Sequence, residues 1–399
     1  MKNKMFLFIL GFIVFSSFCS FLTVRILNLP CTIELFLVPL AYYFRKSFFI
    51  PRKDYIGVVL FVLLGIFIGL LNSVYFFTDI IPIARCFFLG ALAFVFAKNN
   101  TIFKNLDNLY IFSFGVFMGD LLNAYILMKT VLGTEFDKQY AVDINIIFSV
   151  LWPILTILYK KPSHLIAVFL LVPILSFLSV SRGISTFFTI GIILAFLLKI
   201  YKRPSKIIIA MAFLSVSFIV LSSLYYNSEN NIRKFSPSMH FRMYKKMSSY
   251  GKNNIDKDRI RPYIWAFDNL SYYVVPRGFL GKKFLTKSDG KNTPMMAPWD
   301  SAYMEFLYTF GFLLLLVLVL IYLYKLYICF ILYNRTNEVI FAVSCAMLSL
   351  LFVEHVFTYG LIRSPFMVFC NGGFLGYIWK ITSHPESLKG NLISKKQKL

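Results

Sequence analysis

Residues 161–199 read KPSHLIAVFLLVPILSFLSVSRGISTFFTIGIILAFLLK, and Arg182 is the only charge between the two flanking lysines. A single helix over the ~37 intervening residues would reach ~55 Å at about 1.5 Å per residue. The hydrocarbon core of a bilayer is about 30 Å thick, and about 20 apolar residues cross it. The run therefore divides at Arg182 into two adjoining spans. Lys161 and Lys199 then share one side of the membrane, and Arg182 lies at the other face.

The rest of the 399-residue chain shows the same pattern. It is 58% hydrophobic and 15% charged, with a mean hydropathy of +0.72. Soluble domains are about 45–50% apolar and about 25% charged, which excludes an ordinary cytosolic enzyme. Apolar runs predict about twelve spans, at roughly 5–24, 28–44, 55–77, 79–97, 108–128, 141–159, 164–180, 184–200, 207–226, 301–324, 338–358 and 363–382. They lack the sustained period-two alternation of barrel strands, so they read as helices. The first comes after Lys2 and Lys4 without a small-x-small cleavage site and reads as an uncleaved anchor. The expected fold is an all-α polytopic membrane protein with about 12 transmembrane helices and one large periplasmic loop. Nine spans occupy 1–226, the loop 227–300, three further spans 301–382, and a basic cytoplasmic tail 383–399.

Charge supplies the sidedness. The net charge is +23, which in a soluble chain would suggest nucleic acid. Here cytoplasmic helix ends account for it, and no nucleic-acid partner is expected. With the N-terminus inside, 21 Lys and Arg fall in cytoplasmic segments and 6 in short outer segments or the spans beside them. The other 14 lie in the long loop, where the rule does not apply. That distribution puts both termini in the cytoplasm. The loop carries 14 basic against 6 acidic residues; it reads as a cap packed on the bundle over a cavity. The six cysteines lie in or beside apolar runs without CxxC spacing and read as small buried hydrophobes.

No Walker A loop, GxGxxG, HExxH or GxSxG occurs, so neither cofactor nor metal is expected. What remains is a set of outer arginines: Arg182, Arg85, Arg363, Arg259, Arg261 and Arg277. Guanidinium is always charged and bonds phosphate oxygens in pairs, which suits a lipid-linked pyrophosphate. The ordinary alternative makes each an interfacial anchor or a partner for Asp79, Asp120, Asp143 or Glu354. That alternative leads for Arg277; for Arg182, isolated between apolar spans, the cost of burying a charge favours function. The acidic candidates are Asp300, Glu305 and Glu354. Asp300 stands where the tenth span begins and reads equally as a helix cap or as a base for a hydroxyl. Glu354 with His355 forms either a second site or a structural ion pair. Loop aromatics such as Tyr263, Trp265 and Trp299 read first as interfacial residues.

Ser181-Arg182-Gly183 between spans is followed by a large outer loop holding Arg261-Pro-Tyr-Ile-Trp265 and Pro276-Arg277-Gly278-Phe-Leu-Gly281. Asp300-Ser301-Ala-Tyr303, running to Gly311, then re-enters the membrane. In this order the chain resembles the bacterial O-antigen polymerases of the Wzy type, with the related ligases, from about 164 to 320. The first 160 residues match in hydropathy alone. Ligases usually carry His where Asp300 stands, which favours polymerase. The resemblance implies an inner-membrane, metal-independent, inverting glycosyltransferase acting on the periplasmic face. An undecaprenyl-pyrophosphate-linked oligosaccharide is donor, and a hydroxyl of another lipid-linked repeat unit is acceptor. It implies catalytic roles for Asp300 and Arg182 and substrate binding by Arg85, Arg259, Arg261, Arg277, Tyr303, Glu354 and Arg363. It also admits a chain-length regulator protein as partner. Three other classes remain open: a ligase, a flippase or other transporter, and an acyltransferase. A transporter would show paired halves, and the long loop has no counterpart in the other half. An acyltransferase needs a suitably placed His, for which His355 is the candidate.

Overall fold

A computed structural model describes residues 2–20, 22, 49–72, 77–100, 103, 105–131, 146–179, 182–201, 271, 274–276, 278–279, 301–357 and 365–383. Every long element among them is helical: α1 (Lys2–Ile9), α2 (Arg52–Asn72), α3 (Phe77–Asn99), α4 (Leu106–Val131), α5 (Ile146–Tyr159), α6 (Leu165–Ser179), α7 (Arg182–Ile200), α8 (Ala302–Thr336), α9 (Val339–Phe357) and α10 (Pro365–Ser383). Among the described residues, four segments are long and apolar enough to cross a bilayer: Arg52–Leu71, Ile80–Asn99, Leu106–Ile126 and Thr309–Thr336. The chain is thus a helical membrane protein. The runs at 28–44 and 207–226, most of the long polar segment 227–300 and residues 384–399 lie outside the described residues.

One expected boundary is corrected. The run 301–324 is not a single span, because α8 breaks at Gly311 (φ 80°, ψ 169°). Residues 302–310 form a short helix before the break, and the stretch long and apolar enough to cross a bilayer, Thr309–Thr336, lies almost wholly after it.

The chain divides into two compact units, one of residues 1–21, 107–254 and 337–350, the other of 22–106, 255–336 and 351–399. In the first, α1 crosses α4 at backbone distance. A Cβ on Gly115 would run into the carbonyl of Phe8, one on Gly119 into that of Phe12, and one on Gly11 into that of Phe112. Small residues four apart permit such close crossings in lipid, where packing replaces the hydrophobic drive. Beyond α1 the chain makes a π-turn over Leu10–Val14 and breaks at Phe15. The break frees backbone amides that the bilayer cannot hydrate. Asp120, fully buried on α4, meets this need: the Ser17 amide donates to its Oδ1 at 2.6 Å and the Ser149 hydroxyl to its Oδ2. At the other end of α4, Lys160 pairs with Asp107, and Lys199 of α7 donates to the Ile157 carbonyl of α5.

In the second unit α3 and α10 run parallel and equally close. A Cβ on Gly372 would strike the carbonyl of Gly90, and one on Gly376 that of Phe94. At the shared end, Lys380 donates to the Asn99 carbonyl at 3.4 Å. Helix α2 runs antiparallel beside α3: Asp54 accepts from Asn99 Nδ2 at 3.0 Å and lies 3.7 Å from Lys98. Lys325 of α8 reaches the same end, donating to Thr382 Oγ1 at 3.1 Å and lying 3.9 Å from the centre of the Trp379 ring. One end of this unit is therefore a lysine end.

Candidate functional site

The opposite half of the second unit is built around a turn at Gly278–Phe279, from the long polar segment 227–300. Gly278, at φ +75°, adopts a left-handed conformation that few other residues tolerate. Its amide donates to the Thr309 carbonyl, and the Phe279 amide to the Gly65 carbonyl, both at 3.0 Å. The turn thereby enters the bundle, and the Phe279 ring is completely buried against Val62, Ile80, Ala84 and Phe87. Gly65 and Gly69 make the room, since a Cβ on either would collide with Phe279. Phe306 and Phe310 pack on the same cluster, and Cys86 packs with Ala302 and Val368. The short helix before Gly311 is thus pinned at its far end to α2, α3 and the loop turn.

Its near end carries polar groups into the bundle. Ser301 Oγ receives the Met304 amide at 3.4 Å and donates to the His355 carbonyl at 3.2 Å. Tyr303 donates its hydroxyl to the Phe352 carbonyl at 3.1 Å, and its ring centre lies 5.7 Å from that of His355. The His355 Nδ1 contacts the Leu351 carbonyl, which can only accept, so that nitrogen carries the proton. Nε2 is left as an acceptor and takes the amide of Asn371 at 3.2 Å. Glu354, His355 and Asn371 are 0%, 6% and 6% exposed. Among the described residues, the Asn371 Oδ1 and the hydroxyl of the buried Tyr322 make no hydrogen bond. An acid, an imidazole, an amide oxygen and a phenol are thus buried in one layer, the Tyr322 ring centre 6.1 Å from that of His355. Polar groups gathered at this depth are costly, and in membrane proteins they mark ligand or proton sites.

The expected site residues fall into three groups. Tyr303 and Glu354 belong to this layer. Arg85, half-buried on α3, adjoins Cys86, which touches the start of the short helix. Arg182 is the first residue of α7, in the other unit. Asp300, Arg259, Arg261, Arg277 and Arg363 lie outside the described residues. Ser301 caps the short helix through the Met304 amide, while both readings of Asp300, cap or base, fall on a residue outside the described ones. Asp120, one of the acids weighed as an arginine partner, is engaged by Ser17 and Ser149.

Sequence reading missed Ser301, Tyr322 and Asn371 as site members. The available signal for Asn371 was an amide inside an otherwise apolar span, beside Gly372-Gly373. No family model, curated protein or solved structure matches the chain.

Proposed function

We propose that the protein is a polymerase of lipid-linked oligosaccharide repeat units in a bacterial inner membrane, with both termini cytoplasmic. The observation that supports this most is the polarity of the second unit. Lys53, Lys98 and Lys380 gather at one end, and the loop turn, the short helix and the parts of α9 and α10 that carry Glu354, His355 and Asn371 sit in the other half, with Tyr322 of the same layer one turn before Lys325 on α8. Along α3, Phe87, which stacks on Phe279 at 5.0 Å, lies eleven residues from Lys98, or ~16 Å. Basic ends face the cytoplasm, so the polar layer belongs to the periplasmic half. That is where the head of a lipid-linked glycan is presented.

In the reaction a hydroxyl of the acceptor repeat unit attacks the anomeric carbon of the donor. The glycosidic C–O bond forms as the bond to pyrophosphate breaks, with inversion. The hydroxyl proton passes to a carboxylate, assigned to Asp300, with Glu354 second. Undecaprenyl pyrophosphate leaves. Its developing charge calls for fixed cations, the role assigned to Arg182 and Arg85, with Arg259, Arg261, Arg277 and Arg363 as further contacts.

The test is the lipopolysaccharide gel pattern of a deletion strain. The polymerase reading expects loss of the ladder with one repeat unit still attached, restored by the wild-type chain. Loss of all O-antigen would instead identify a ligase or flippase.

A further inference from the structure

Between α2 and α3, at the lysine end, lies an open groove of about 300 Å³ that the polymerase reading does not use. Lys53 and Lys98 stand at its mouth, and Gly57, Val58, Ala91 and Phe94 line it. Asp54 shares the mouth, accepting from Asn99 and lying 3.7 Å from Lys98; against this one carboxylate stand Lys53, Lys98 and the adjacent exposed Arg52, so the mouth keeps an excess of positive charge. Below the mouth the walls are apolar. A Cβ on Gly57 would meet nothing within 4 Å, so the glycine opens the groove rather than permitting a helix contact. Leu60, Phe61 and Leu64 on the same stretch of α2 are 60%, 40% and 57% exposed, as lipid-facing residues are.

We infer that this groove binds one anionic glycerophospholipid of the adjoining leaflet, its phosphate at Lys53 and Lys98 and its acyl chain along Gly57 and Ala91. Basic pockets between membrane helices recognise lipid headgroups in this way, each lysine contributing a similar electrostatic increment. The inference depends on the groove and its charges, not on the polymerase reading.

Native mass spectrometry of the purified full chain, resupplied with phosphatidylglycerol or phosphatidylcholine of equal chain length, tests it. The wild type should retain one phosphatidylglycerol in preference to phosphatidylcholine. Lys53→Gln should weaken that retention about fivefold, and Lys53→Gln with Lys98→Gln by ~25-fold. Gly57→Leu keeps both lysines and fills open space, so it should fold normally and still lose the bound lipid. Equal retention of the two lipids by the wild type overturns the inference. So does a preference that survives either the double lysine variant or Gly57→Leu. Displacement of phosphatidylglycerol by an isoprenoid pyrophosphate at equal concentration also overturns it, assigning the groove to the lipid-linked substrate.

Discussion

Asp300 and Ser301 are neighbours whose duties separate. The Ser301 hydroxyl caps the short helix and ties it to the His355 carbonyl, so its loss should be structural. Ser301→Ala should lower stability by about 1 kcal/mol, as loss of a cap does, read as a fall in the melting temperature in detergent. Asn caps a helix about as well as Asp, so Asp300 needs its negative charge only if it handles the acceptor hydroxyl. Asp300→Asn should therefore leave protein level and melting temperature unchanged and yield only single-unit lipopolysaccharide. A full ladder from this variant would move the base to Glu354 or Glu305. The His355–Asn371 pair shows the limit of sequence reading at this scale. Both residues are polar intrusions in apolar runs, but they lie sixteen positions apart on separate helices. Only the packing of α9 against α10 reveals that the amide nitrogen meets Nε2.

At the scale of elements, α3 and α10 test the role of backbone approach. A Cβ at Gly376 would meet the carbonyl and Cα of Phe94, which cannot turn away, whereas one at Gly373 meets only the Ala93 Cβ at 4.0 Å. Gly376→Val should cost about 1–3 kcal/mol by overpacking, and Gly373→Ala should stay within about 0.5 kcal/mol of wild type. Thermal melts of the two variants check this. If both melt alike, the close crossing does not hold the pair. Hydropathy made the long spans legible because α2, α3 and α4 are apolar along most of their length. It merged residues 302–310 with the adjoining span because Ala302–Phe310 is itself largely apolar. Gly311 breaks the helix by conformation, which hydropathy does not register. The match of Gly90 to Gly372 was illegible for another reason: hundreds of residues separate the partners, and nothing local to either glycine specifies the other.

For the whole molecule, the relevant property is direction. Within the second unit, α3, α10 and the long part of α8 bring Lys98, Lys380 and Lys325 to one end, and α2 begins there with Lys53. Within the first, Asp107, Lys160 and Lys199 meet at one end as well. Charge counting alone assigned all of these lysines to the cytoplasm, and each unit's packing is compatible with that assignment. The polymerase proposal requires the half holding Glu354, His355, Tyr303 and the loop turn to face the periplasm. Reporter fusions test this most directly, at Lys53, Lys104, Lys161, Lys202 and Arg335 on one side and at Gly183 and Tyr250 on the other. Cytoplasmic signals are expected from the first five and periplasmic signals from the last two. A cytoplasmic signal at Tyr250 would contradict the proposal, because the long loop would then face away from the lipid-linked glycan.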